Sequence, residues 1–248
     1  MAESGSCDQR RDGRDMRHPG CGDSPAWPET ARERTPGMIR RSSADQSHRD
    51  DHAAAIRFAE AHGLQHEHSR RKLPHQWDFY PFGVGNFRRA RNVVHGSLHG
   101  RSITAFEYFY FLMSDSVEQS GYQRDAANWF LVCVVDLDHP VPPLAAVRTA
   151  WLEWHDDELP GPIIPIDHER WSKVFRLVGE DEDFGRAVVT NENAARCAEA
   201  DIHAEWRFVN DELLLWVWRG RVDDQLVTIL DVAKPLIEAA ERYAHAES

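Results

Sequence analysis

The chain has 248 residues, 42% of them hydrophobic and 10% aromatic, with nine Trp, which is apolar mass enough for one real core. No apolar run approaches the roughly 18 residues of a membrane helix. The polar N-terminal stretch lacks the apolar segment of a secretion signal, so the expectation is a cytoplasmic protein with no transmembrane segment.

The net charge of −12, from 29 basic and 41 acidic side chains, disfavours wholesale nucleic-acid binding. It is unevenly placed: residues 51–100 carry more basic than acidic side chains, and residues 101–248 are strongly acidic.

Residues 1–50 are rich in Gly, Ser, Pro, Asp and Arg and nearly free of aliphatic residues. That composition predicts a disordered polar tail, followed by one globular domain over residues 51–248. Met38, followed by Arg40 and Arg41, reads as an alternative start. Asp51 is placed to cap a helix over Ala53–His62 that stops at Gly63. Leu64–His68 reads as a short strand. Residues 69–88 read as an irregular loop whose Trp77, Phe79, Tyr80 and Phe82 pack down on a sheet.

Ala90–Leu98 and Arg101–Leu112 form a hairpin around His99-Gly100, where Gly100 supplies a positive φ. The second of these strands, with Phe106, Tyr108, Phe109, Tyr110 and Phe111, is apolar on both faces, as is Asn128–Asp138; both belong at the centre of a sheet. A hairpin loop over 113–127 joins them. Pro140, Pro142 and Pro143 end the later strand. Leu144–Trp154 fits strand or short helix, Lys173–Val178 a strand, and Asp181–Val189 and Asn193–Ala200 short helices. Trp206–Val209 and Leu213–Trp218 make a second hairpin through Asn210-Asp211. Val222–Ala244 shows a 3.6-residue apolar stripe that Pro235 should kink or split. Hairpins in place of βαβ units predict an α+β fold: an antiparallel sheet of about 6–8 strands with the N- and C-terminal helices packed on it.

Chemistry-bearing residues form no established motif. The four cysteines, Cys7, Cys21, Cys133 and Cys197, make no CxxC pair, and Cys133 in its apolar run reads as an inert thiol. His62, His66, His68 and His75 lie close in sequence, but Gly63 breaks the helical face between the first two, so no metal site is assigned. Glu180–Asp183 precedes a predicted helix and fits capping better than a Ca²⁺ loop. Gly83-x-Gly85 and Gly96-x3-Gly100 fit turns, since neither joins a strand to a helix as a dinucleotide or phosphate loop does. No cofactor is implied.

What stands out is a basic cluster of Arg70, Arg71, Lys72, Arg88, Arg89, Arg91 and Arg101, interleaved with aromatic residues. It reads as a surface for phosphate groups or a single strand, or as a solvated rim paired with the acidic part of the domain.

The set Phe82-Gly83-x-Gly85, Arg89-Ala90-Arg91-Asn92-Val93-Val94-His95-Gly96, Gly100-Arg101 and Ala105-Phe106-Glu107-Tyr108 resembles a family of uncharacterised, mostly actinobacterial proteins. So does the later set Phe175-Arg176-Leu177, Asp183-Phe184, Trp206-x-Phe208 and Leu213-Leu214-Leu215-Trp216. The resemblance spans roughly residues 52–243 and implies a shared fold without an activity. Some relatives carry an N-terminal membrane segment; the polar tail here departs from that pattern.

The leading expectation is a non-catalytic binding module for an anionic ligand or partner, with Arg88, Arg89, Arg91, Arg101 and His99 as its residues. A hydrolase with a site in the 69–101 region would need a deep pocket lined by His95, His99 or Arg91. Nucleic-acid binding would run through Arg88, Arg89 and Arg91.

Overall fold

The computed structural model describes residues 43–111, 127–150, 159–200 and 203–247. Most of the expected tail, all of the expected 113–127 loop but Ala127, which begins a strand, and residues 151–154 of the ambiguous Leu144–Trp154 segment therefore lie outside the described residues.

Strands buried on both faces must sit inside a sheet, and they do. The strands are β1 (Gln65–Ser69), β2 (Asn86–Leu98), β3 (Arg101–Phe111), β4 (Ala127–Asp136), β5 (Leu144–Arg148), β6 (Ile163–Ile164), β7 (Phe175–Gly179), β8 (Glu205–Val209) and β9 (Glu212–Trp218). They form one antiparallel sheet in the order β1-β2-β3-β4-β9-β8-β5-β7-β6. The architecture is α+β as expected, with nine strands among the described residues where 6–8 were expected; the two-residue β6 is too short to leave a pattern. The middle of the sheet falls at β4 and β9, one strand further on than β3.

Alternate side chains of the central strands enter two separate cores. Ile103, Ala105, Leu131, Cys133, Val135, Leu213 and Leu215 face the helices. Phe106, Tyr108, Phe130, Val132, Val134, Leu214 and Trp216 face the other way. The helices are α1 (Ser43–Ala61), α2 (Glu169–Val174), α3 (Glu182–Val188), α4 (Asn191–Glu199) and α5 (Val222–Glu247). None is long and apolar enough to cross a membrane among the described residues.

The second core is closed by a loop. Between β1 and β2 a single 3-10 turn, Leu73–His75, leads into Trp77, Phe79 and Phe82, all buried against that face. The Trp77 indole donates to Glu212 at 3.1 Å, and Tyr108 Oη donates to the Pro81 carbonyl at 3.2 Å. Gly85 ends the loop at φ +76, where an added Cβ would lie 2.3 Å from the Tyr110 ring, so only glycine fits.

Several boundaries differ from the sequence reading. The first helix starts at Ser43, so Asp51 lies inside it rather than capping it, and pairs with Arg221 at 3.1 Å. Its end is as expected: Gly63 takes φ +66. Lys173 and Val174 close α2, and the strand begins only at Phe175. Leu144–Arg148 is strand. Pro235 does not split α5, which continues to Glu247 because Ala233, Leu236, Ile237 and Ala240 hold both halves to the core. Both hairpin turns are where expected: His99 and Gly100 take φ +52 and +80, and Asn210 takes φ +54.

The loop cover makes a direct comparison available. Phe82→Ala is expected to cost about 3–5 kcal/mol in urea unfolding, as for a core aromatic. Phe87→Asn, five positions on but 66% exposed and at φ +56, is expected to change stability by no more than about 0.5 kcal/mol.

Candidate functional site

Alternation along β2 decides where each predicted basic side chain goes, and a bulge resets it. The β2–β3 register shifts between Arg91 and Val94, one extra residue on β2 against Glu107 and Ala105 on β3. Asn92 absorbs the bulge at φ +48. The bulge leaves Arg91 stacked over the Phe109 ring at 4.5 Å.

Arg89 and Arg91 then line a groove of about 210 Å³ with Arg71, His68, Ser69 and Ala90. Burial first, and the Arg89 charge second, lowers the Arg91 pKa from its ordinary value, while Glu107 acts the other way. A guanidinium stays charged throughout the physiological range. The groove therefore gathers three positive charges and an imidazole, and among the described residues no carboxylate lines it.

The other predicted residues go elsewhere. Arg88 Nη1 donates to the Phe82 carbonyl at 2.6 Å and so ties the aromatic loop to β2. Arg101 is held by Glu241 of α5 through two hydrogen bonds and lies 3.5 Å from Asp138. His99 is exposed at the hairpin turn, eight residues along β2 from Arg91, or roughly 25 Å at strand rise. The five residues are thus not one site. The aromatic residues expected to interleave with them are not stacking platforms either, since Trp77, Phe79 and Phe82 are buried under the sheet.

Of the three residues named for a hydrolase pocket, Arg91 lines the groove, and His95 and His99 do not. His95 Nε2 lies 3.1 Å from Glu67, which also pairs with Arg70 at 2.5 Å. His99 is at the far end of the hairpin.

Beside the groove lies a polar chain that the sequence did not announce. His52 of α1 donates from Nδ1 to Asn92 Oδ1 at 3.0 Å, and Asn92 Nδ2 donates to Glu107 at 2.8 Å. The His52 ring packs between His66 and His68, with centroids 5.1 and 4.8 Å away. His66 Nε2 is buried without a hydrogen bond. Burial, then the nearby His52 and His68, lowers the His66 pKa below its ordinary 6.5. The three imidazoles form a row, and among the described residues no three His, Cys, Asp or Glu side chains are placed to hold a metal ion. Of the earlier histidines, His62 packs against Phe58 with ring centroids 4.3 Å apart and tilted planes, and His75 is exposed.

The acidic run is at the other end of the sheet. Asp181 caps α3 by accepting from Phe184 N at 2.8 Å, as the sequence indicated, and also accepts from Tyr243 at 3.2 Å. Cys133 is buried and its thiol is pushed up to about 12, which fits the inert reading.

Glu107 offers a pH test. Burial, with Asp51 and Asp223 acting in the same direction, raises it from 4.5 to about 7 against the Asn92 hydrogen bond and Arg221. The folded state then binds a proton that the unfolded state releases, so its contribution is complete below pH 4.5 and is lost as pH rises to about 7. Glu107→Gln is expected to be more stable than the wild type by ~1–2 kcal/mol at pH 8 after allowing for solvent screening, and equal to it near pH 4.5, by urea unfolding at each pH. His66 works the opposite way: its contribution is complete above 6.5 and lost on acidification.

No family model and no curated protein matches the chain. Among solved structures, the chain is similar to the mycobacterial trehalose monomycolate transport factor A, TtfA, with a TM-score of 0.55 and 14% identity over 77% of this chain and 94% of that one. The mycobacterial source agrees with the actinobacterial character of the family the sequence resembles, and at this identity the likeness is one of fold.

Proposed function

We propose that the protein is a non-catalytic binding module whose groove at the β1–β2 edge takes a phosphate-type or carboxylate anion. The observation that carries this reading is the convergence of Arg71, Arg89 and Arg91 with His68 on one groove without a lining carboxylate. Clustered guanidinium groups repel one another unless an anion sits among them, and their planar donor forks match an oxyanion in two-point contact. Glu107, the cross-strand partner of Arg91, is raised by burial to about 7, so near pH 7 it carries only part of a negative charge to set against the guanidinium groups.

Two further points favour binding over turnover. No nucleophile lies among the lining residues beyond Ser69, which is exposed on an edge strand without a described hydrogen bond to a base. The protein of similar fold is named as a transport factor rather than as an enzyme. Its cargo is not carried over to this chain.

Titration calorimetry with inorganic phosphate tests the reading. The wild type is expected to bind, with affinity falling as chloride rises. Arg89→Gln/Arg91→Gln is expected to weaken binding at least about tenfold, since each charge-assisted contact is worth ~1.5–3 kcal/mol. Arg101→Gln, outside the groove, is expected to keep the affinity. Equal affinity in the wild type and the Arg89/Arg91 variant refutes the groove.

A further inference from the structure

Large aromatic side chains are exposed at the same end of the sheet as the groove. Phe87 is 66% exposed, Trp129 45% and Trp218 48%. They are linked across four strands. Phe87 packs on Phe111 (6.4 Å between centroids) and Phe111 on Phe109 (6.0 Å). Phe109 is paired with Trp129 across β3–β4 on the helix side, whereas Trp218 is paired with Phe130 across β4–β9 on the other face, so the exposed rings flank both faces of that end of the sheet. Arg219 closes the row: its backbone N–H donates to the Trp129 carbonyl at 2.9 Å, and its guanidinium lies over Trp218 at 4.5 Å and Trp129 at 5.8 Å. Arg91 on Phe109 and Arg89 join the row to the groove.

The opposite end has the opposite sign. There the turns and strand ends carry Asp136, Asp138, Asp211, Glu180, Glu182 and Asp183, all exposed. Among the described residues, Arg89, Arg91, Arg219 and the exposed rings thus gather at one end of β2, β3, β4 and β9, and these carboxylates at the turns of the other, with Asp223 and Arg101 standing outside that division.

We propose that the Phe87–Trp129–Trp218 end docks on an anionic lipid bilayer surface, with Arg89, Arg91 and Arg219 on the headgroups. This deepens the groove reading and rests on it. Trp and Arg side chains favour the bilayer interface, where apolar rings enter the acyl boundary and charges stay at headgroup level. A planar anionic surface meets only the basic end and leaves the acidic end facing water beyond a screening length. A single-stranded nucleic acid fits less well. It needs free ring faces for stacking, and the faces of Phe109 and Trp218 are already taken by Arg91 and Arg219.

Co-sedimentation of the full chain with vesicles of phosphatidylcholine, and of phosphatidylcholine with phosphatidylglycerol, tests the proposal. Binding only to the phosphatidylglycerol vesicles, weakened by salt, is expected. Trp129→Ser/Trp218→Ser, and separately Arg89→Gln/Arg91→Gln, are each expected to cut it about tenfold. The single variant Phe87→Asn, which suits the positive φ, is expected to cut it measurably and serves if the tryptophan pair fails to fold by circular dichroism. Equal binding to both vesicles, no binding to either, undiminished binding by the folded aromatic variant, or tighter binding of a single-stranded oligonucleotide than of vesicles overturns the docking. Phosphate binding without vesicle binding sinks the docking and leaves the groove standing. Loss of both sinks both. Vesicle binding that falls in the tryptophan variant while phosphate binding stays supports docking as a separate property.

Discussion

The rest of the structure depends on one constraint: the central strands are apolar on both faces. A sheet whose β3, β4 and β9 bury apolar side chains on both faces must be covered twice. Among the described residues five helices cover one side and none the other, so the stretch between β1 and β2 fills that need with Trp77, Phe79 and Phe82. This explains why so many aromatic residues stand in a segment with no regular period. It also locates the groove, which lies at the β1–β2 edge, where Ala90 of the second core forms part of the lining and the charged side chains beside it can remain wet.

Much of this was legible in the residues. Hairpins announce themselves through local turn chemistry, and double-faced burial through runs such as Phe106–Phe111, so the antiparallel sheet and its loop cover followed from local signals. The start of α1 did not, because residues 43–50 hold no aliphatic residue but Ala44, and a helix without an apolar stripe leaves no periodic trace. Nor did the pairing of β4 with β9, which depends on partners some eighty residues apart. The basic cluster was visible as composition, but its membership was not. One bulged residue aligns Arg91 with the groove, strand length carries His99 away, and a glutamate on α5 claims Arg101. His52 and Glu107 were invisible as a pair because Asn92 joins them only once α1 lies on the sheet.

The charge asymmetry read from the sequence takes a different form in space. Along the chain it divides near residue 100, basic before and acidic after. In the fold each antiparallel strand visits both ends of the sheet, so the division that matters is between strand ends. Arg219, from the acidic stretch of sequence, sits with Trp129 at the basic end, and Arg101, from the edge of the basic stretch, is neutralised by Glu241 at the other. A sequence-level charge map therefore locates the effect but misplaces the boundary, because folding back reassigns neighbours.

The two covers also hold the sheet by different means. The helices are braced by their own backbone ladders, whereas the aromatic loop is fastened mainly by side chains and by Arg88 and Tyr108 reaching its carbonyls. No strand-to-strand hydrogen bond lies within residues 72–85. That face can consequently open by lifting one strap while all nine strands stay paired, a local event that exposes Phe106 and Trp216 without unravelling the sheet. The consequence is an uneven local stability, and amide exchange along 72–85 is expected to run faster than in the paired strands.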